Sequence, residues 1–205
     1  MRRFLLLWII VLLPSAISAQ QQDDLCLWQA VSMKKSLGKD WSVGLRTEHR
    51  AYDMVRTTNQ YYIRPSVGYN ILSWMNITLQ ADFAWSSSGF NIRCLPQVTF
   101  SHKAGGFDFS LRQRLQTTWK SSDDSWSHLF RTKAQVRYKI KGTPLTPLLA
   151  VEPYYMSELV RCRFYAGVGI SITDNLSLLL QYVRQEQYTR TYDDNVMWLT
   201  FNVKL

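Results

Sequence analysis

The sequence is poor in the residue types that build disulfide frameworks and metal centres. Its 205 residues include only three cysteines, Cys26, Cys94 and Cys162, an odd number at wide spacing. This pattern fits neither a set of disulfides nor a zinc ligand set. We therefore interpret all three as small apolar side chains in strands, and we predict no metal site and no cofactor.

Histidines are equally scarce, and they stand apart from one another. His49 falls on an apolar face, His102 adjoins a short turn, and His128 follows a serine beside a loop. Nucleophilic catalysis needs a nucleophile, a base and an orienting group close together. No such grouping can be found, so the sequence predicts no catalytic residues and no enzyme.

Long apolar runs are absent after the first twenty residues. Phe4–Leu13 is an apolar stretch that follows two arginines and precedes small residues ending at Ala19. It is too short to cross about 30 Å of hydrocarbon as a helix, and its flanks are typical of a secretory signal peptide. We expect a signal peptide over residues 1–19 and one domain over residues 20–205. The alternative is an uncleaved N-terminal anchor helix.

Acidic residues are also scarce, with 15 Asp and Glu against 24 Lys and Arg. A basic excess predicts anionic partners such as nucleic acid, lipopolysaccharide or an acidic solute. Export argues against nucleic acid, and we expect none.

What the sequence has in abundance is alternation of apolar and polar residues with a period of two. The runs are about 10–12 residues long, which is the length of a tilted membrane strand. No helical period is visible. We therefore expect an all-β chain that forms one antiparallel up-and-down transmembrane β-barrel of 10–12 strands. The predicted strands are Leu25–Ser36, Trp41–Tyr52, Gln60–Ile71, Asn76–Trp85, Ile92–His102, Phe107–Trp119, Phe130–Ile140, Leu148–Met156, Arg161–Ile172, Leu176–Gln185 and Val196–Leu205.

Eleven segments conflict with the even strand number of bacterial barrels. Either Leu25–Ser36 lies outside a ten-stranded meander, or a twelfth strand exists. In the first case the Gln21–Ser36 segment could plug the lumen. The strand number is therefore expected to be ten or twelve.

The connections and prolines give further expectations. Short turns should lie at one end, and longer loops at the other. Pro65, Pro96 and Pro153 each remove a ladder donor, which predicts bulges or local irregularity. The predicted longer loops are Asp53–Asn59, Ser86–Asn91, Lys120–Trp126 and Gln187–Asn195.

Alternation alone also fits a soluble lipocalin-like barrel, in which the apolar face points inward. Arginines on the polar faces favour a hydrated lumen instead. The final strand resembles an outer-membrane recognition signal, with Leu205 in place of the usual terminal Phe. Tryptophans near strand ends favour the aromatic girdles of a membrane barrel; they are Trp28, Trp41, Trp74, Trp85, Trp119 and Trp126.

The polar faces should then line the lumen with charged side chains. One interpretation is a structural network of Arg–Glu pairs that fills a narrow barrel. The other is a basic path or pocket for a small anionic solute or lipid headgroup. The candidate residues are Arg46, Glu48, Arg50, Arg64, Asp82, Arg93, Arg112, Arg114, Arg131, Lys133, Arg137, Glu152, Arg161 and Arg163.

These patterns resemble an uncharacterised family of outer-membrane barrels common in Bacteroidota, the domain of unknown function 2490. The resemblance covers nearly all of the mature chain. It implies an outer-membrane location and no established activity. The expected partners of such a barrel are outer-membrane lipid, lipopolysaccharide and, during biogenesis, the barrel-assembly machinery, and the sequence points to no other protein partner. Three functions stay open: a narrow channel or binding barrel, a structural barrel without transport, and a lipid-modifying enzyme. The resemblance rests on Trp28, Glu48-His49-Arg50, Tyr62-Ile63-Arg64-Pro65, Arg112 and Arg114, Arg131 with Arg137, Glu152-Pro153-Tyr154, and Arg161 with Arg163 before Gly167 and Gly169.

Overall fold

The computed structural model describes residues 24–52, 57–87, 89–189 and 194–205. These residues form eleven β-strands. The predicted signal peptide lies outside them. Among the described residues, no helix is long and apolar enough to cross a membrane. The strands are β1 Asp24–Leu37, β2 Trp41–Tyr52, β3 Thr57–Leu72, β4 Met75–Ser86, β5 Gly89–Ala104, β6 Phe107–Lys120, β7 Ser125–Tyr138, β8 Leu145–Tyr155, β9 Leu159–Ser171, β10 Leu176–Gln187 and β11 Asp194–Lys204.

The strands close into one barrel in which each strand pairs with its neighbours in sequence, and β1 pairs with β11. Ten of these ladders are antiparallel, and the β1–β11 ladder is parallel, from Asp24 opposite Asp194 to Lys34 opposite Lys204. The expected transmembrane barrel fold is confirmed. The expectation of an even strand number is wrong: an odd meander leaves its first and last strands running the same way, so only a parallel ladder can close it.

Strand β1 is part of the barrel wall. It pairs with β2 on one side and with β11 on the other. The expectation that Leu25–Ser36 might lie outside the meander, or plug the lumen, is therefore wrong for the described residues. Residues 21–23 of the proposed plug lie outside them.

The barrel has two rims, named here by the chain ends nearest to them. The N-terminal rim, where β1 begins, holds the described connections 121–124 and 156–158. The C-terminal rim, where β11 ends, holds 38–40, 73–74, 105–106, 139–144 and 172–175. The described connections have three or four residues at the N-terminal rim and two to six at the C-terminal rim. For these connections the expected contrast of short turns with longer loops is wrong, because strands extend into the polar segments; parts of Asp53–Asn59, Ser86–Asn91 and Gln187–Asn195 lie outside the described residues.

Each of the three prolines interrupts one ladder, which then resumes in the same register. The β3–β4 ladder lacks the pairs of Arg64 and Pro65, the β5–β6 ladder those of Leu95 and Pro96, and the β7–β8 ladder those of Glu152 and Pro153. One register shift lies close to a proline, between Tyr154 and Tyr155 in the β8–β9 ladder, and others lie between Arg50 and Ala51 and between Asn70 and Leu72. The prediction of local irregularity at the prolines holds, but the missing donors do not produce bulges at Pro65 and Pro96.

The outer surface is apolar around the barrel. A soluble barrel would bury these side chains, so the alternative of an inward apolar face is wrong. Aromatic residues mark both rims: Trp41, Tyr69, Trp74, Phe107 and Tyr138 at the C-terminal rim, and Tyr61, Trp85, Trp126, Tyr155 and Tyr188 at the N-terminal rim. Between them the exposed side chains include Val43, Leu45, Ile63, Val67, Leu79, Leu111, Leu115, Phe130, Leu149, Phe164, Met197 and Phe201.

One side of the interior is a packed apolar wall beside the parallel ladder. This seam wall consists of Cys26 and Trp28 on β1, Val183 on β10 and Val196 on β11, each exposed by 1% or less. Trp28 is therefore a lumen residue, and its predicted place in an aromatic girdle is wrong. Its position shares the inward face with Cys26, which overrides the preference of tryptophan for the rim.

Candidate functional site

The lumen contains a cavity of about 1130 Å³. Its lining extends from Ser122, in a connection at the N-terminal rim, to Asn202, near the end of β11 at the C-terminal rim. Inward-pointing residues alternate with outward-pointing ones along a regular strand, so every second residue of a strand faces this space. The cavity therefore runs along the barrel axis.

The structure places the charged candidates from the sequence in this one cavity. Thirteen of the fourteen line it, and Glu48 is 4% exposed and held by two of the others. Whether these residues bind a solute stays a prediction. The thirteen are Arg46, Arg50, Arg64, Asp82, Arg93, Arg112, Arg114, Arg131, Lys133, Arg137, Glu152, Arg161 and Arg163.

Glu48 and its two arginines form a cluster on a single strand. Residues two apart on a strand share a face, so Arg46 and Arg50 flank Glu48 on β2. The Arg46 Nε donates to Oε2 of Glu48 at 3.0 Å, and the Arg50 Nε donates to Oε1 at 2.7 Å. Both carboxylate oxygens are therefore used within the barrel wall.

Asp82 joins two further strands through arginine. Arg64 on β3 donates two hydrogen bonds to Asp82 on β4, one of them from Nη2 to Oδ2 at 2.8 Å. The Arg93 Nη1 on β5 lies 4.0 Å from Oδ2. Asp82 is 1% exposed, and this pairing offsets the cost of burying its charge.

Glu152 on β8 is the most heavily bonded acid among the described residues. Arg112 Nη2 and Arg131 Nη2 donate to Oε1 at 2.6 and 2.9 Å. The hydroxyls of Tyr165 and Tyr154 donate to Oε2 at 2.5 and 3.3 Å. Because both oxygens are occupied, Glu152 orients its neighbours rather than offering a base to a solute.

Aromatic faces partner the arginines nearer the seam wall. Arg50 lies 3.8 Å from the ring centre of Trp28 and 4.6 Å from that of Tyr62. Arg163 lies 4.9 Å from Trp28 and 5.0 Å from Tyr154. The sequence analysis did not identify these aromatic residues as lumen residues. The period of two along a strand could have done so, because it places Trp28 on the face of Cys26, Tyr62 on the face of Arg64 and Tyr154 on the face of Glu152.

Some lumen cations have only neutral partners. Arg114 donates to the side-chain oxygens of Gln97 and Gln80, the latter at 3.1 Å. The Lys133 Nζ lies 3.9 Å from the ring centre of Tyr165. No carboxylate of a described residue lies within 4.0 Å of Arg114 or Lys133.

The described residues include no group of three potential metal ligands. His49 stacks on Tyr61 with ring centres 4.9 Å apart, and His128 Nδ1 lies 3.1 Å from Thr117 Oγ1 on the exposed surface. His102 is exposed. The three cysteines form no disulfide with one another, and Cys94 is exposed.

Comparison with known proteins agrees with this geometry. The family model described as a protein of unknown function, DUF2490, matches residues 26–196. The chain belongs to this family. The family description assigns no activity, and the functional evidence therefore comes from the residues that line the lumen.

Among solved structures, the barrel is similar to one described as the NanC porin in a rhombohedral crystal form. The TM-score is 0.53 at 11% sequence identity, over 85% of this chain and 93% of that one. At this identity the likeness concerns the fold, a closed porin-type barrel. No curated protein sequence matches the chain.

Proposed function

We propose that this family member is an outer-membrane barrel whose basic lumen binds small anionic solutes and lets them pass. The observation that carries the proposal is the lining of the cavity, with twelve Arg and Lys against three Asp and Glu. Excess charge of one sign in a confined space must be hydrated or balanced by counter-ions. A lumen with this lining concentrates anions and repels cations.

The outer-membrane location belongs to the same proposal. The apolar outer surface between two aromatic rims supports insertion in a bilayer. We propose that residues 1–19 are a cleaved signal peptide and that residues 20–205 form the single mature domain. Outer-membrane lipid and lipopolysaccharide would contact the outer surface, and the barrel-assembly machinery would insert the chain.

A second candidate is a structural barrel without transport. It is favoured by the ion pairs of the lumen: Asp82 on β4 pairs with Arg64 on β3, Glu152 on β8 pairs with arginines of β6 and β7, and Glu48 pairs within β2. Such a barrel would show no ion conductance. Lipid modification is the third possibility, and none of the three histidines lines the described cavity.

Planar bilayer recordings separate the first two candidates. Protein refolded in detergent, with folding checked by heat-modifiable gel migration, is inserted under a KCl gradient. We expect a small conductance whose reversal potential is shifted towards the equilibrium potential of chloride. Lys120→Glu, at the end of β6 on the N-terminal rim, should reduce this preference. A folded barrel without conductance, or with cation preference, contradicts an anion channel.

A further inference from the structure

Strands β6 and β7 bring four cations together on the lumen wall. Arg112 lies directly opposite Lys133, and Arg114 lies directly opposite Arg131. All four line the cavity. Like charges directly opposite each other on neighbouring strands destabilise a sheet. These four residues are named here the basic block, and their mutual repulsion destabilises the β6–β7 ladder.

Only one carboxylate of the described residues contacts the basic block. Glu152 pairs with Arg112 and Arg131, and it contacts neither Arg114 nor Lys133 within 4.0 Å. The other two ion-paired acids are bonded elsewhere, Glu48 on β2 and Asp82 by arginines of β3 and β5. Four cations thus face one acid, which leaves an excess of three positive charges.

The neutral groups around the block are arranged as further donors. The side-chain oxygens of Gln80 and Gln97 accept hydrogen bonds from Arg114, which leaves their NH₂ groups to donate. Arg112 Nε is a buried donor with no hydrogen-bond partner among the described residues. Arg114 itself is 4% exposed, although no carboxylate balances its charge. The block therefore offers donors and lacks acceptors.

We propose that the basic block is a binding subsite for a soluble solute carrying a doubly charged oxyanion group, such as a phosphate monoester. A dianion balances most of the excess charge, whereas a single carboxylate leaves two charges unbalanced. The guanidinium group of arginine presents paired N–H donors whose spacing matches two oxygens of a phosphate group. The eleven ladders close the wall, so a ligand enters the described lumen from a rim, which favours a soluble solute over a lipid.

This inference rests on the proposed function and names its ligand class. The test measures binding of inorganic phosphate to the refolded barrel by isothermal titration calorimetry, in detergent without phosphate groups. Sodium chloride at matched ionic strength separates binding from screening. The variants are Arg114→Gln, Lys133→Gln and, as control, Lys141→Gln. The control also removes one positive charge, but from an exposed residue of the 139–144 connection at the C-terminal rim, which does not line the cavity.

We expect each block variant to weaken phosphate binding by about tenfold, the loss of one charge-assisted interaction. The control should bind as the wild type does. Each variant must show the heat-modifiable migration of the folded barrel. If one of the two block variants does not fold, the other carries the test.

Three results overturn the subsite. They are no phosphate binding by the folded wild type, wild-type affinity in both block variants, and an equal loss in the control. Anion-selective conductance with any of them leaves the proposed function standing without the subsite. Phosphate binding that depends on the block, in a barrel that does not conduct, keeps the subsite and removes the channel.

Discussion

The two walls of the lumen are built on opposite principles. The seam wall of Cys26, Trp28, Val183 and Val196 buries apolar side chains almost completely, beside a parallel ladder, and parallel pairing is slightly less stable per residue. The basic block on β6 and β7 sets like charges opposite each other in a regular antiparallel ladder. Burial of apolar side chains thus stabilises the barrel beside the weaker, parallel β1–β11 ladder, whereas the antiparallel β6–β7 ladder accommodates opposing like charges. Apolar burial and excess positive charge therefore lie on different strands.

The largest effect should come from Trp28→Ala in the seam wall. We expect a loss of about 3–5 kcal/mol in the free energy of unfolding, because a fully buried aromatic side chain is removed. Its contacts with Arg50 and Arg163 are lost as well. Urea unfolding in detergent, followed by far-UV circular dichroism, measures the change.

The matched control is Trp126→Ala. Trp126 is 66% exposed on the outer surface near the N-terminal rim, so its loss should cost less than about 1 kcal/mol. Equal losses in the two variants would show that the seam wall is no more important than the rim, and the contrast between the walls would fail.

A smaller effect is expected from Val183→Thr. The side chain keeps nearly the same volume, but its hydroxyl enters a wall where Val183 is 0% exposed. Burying a hydroxyl without a partner costs about 1–3 kcal/mol, and the same urea series detects it. The reverse change Thr200→Val, at a 3% exposed residue of the cavity lining, is the control and should be close to neutral. A neutral Val183→Thr would mean that the seam wall is hydrated.

The two walls also differ in how far the sequence predicts them. Period-two alternation identifies the inward arginines, because lumen and lipid faces alternate without exception along a regular strand. The same parity places Trp28 inward, yet residue type suggested a rim. The partners of Glu152 are beyond prediction: Arg112 and Arg131 lie 40 and 21 residues away, so their pairing depends on registers across several strands.

The closing ladder could not be predicted for a different reason. The eleven segments were counted correctly, but the rule of even strand number describes most bacterial barrels and does not follow from hydrogen-bond geometry. A parallel ladder satisfies the backbone groups of β1 and β11 as an antiparallel one would. The alternation of β1 is also weaker than that of β2, because Leu25, Cys26, Leu27 and Trp28 are all apolar and two of them belong to the seam wall.

The smallest effect is expected from Arg114→Gln in the basic block. The variant loses hydrogen bonds to Gln80 and Gln97, worth about 1 kcal/mol each. It also removes the repulsion between Arg114 and the opposing Arg131, and the cost of burying a charge that no carboxylate balances, and both of these act in the other direction. We expect the free energy of unfolding to change by less than about 1 kcal/mol in phosphate-free buffer, measured in the same urea series. A loss as large as that of Trp28→Ala would make Arg114 a structural residue. A near-neutral result means that the fold does not require this charge, as the proposed anion subsite predicts.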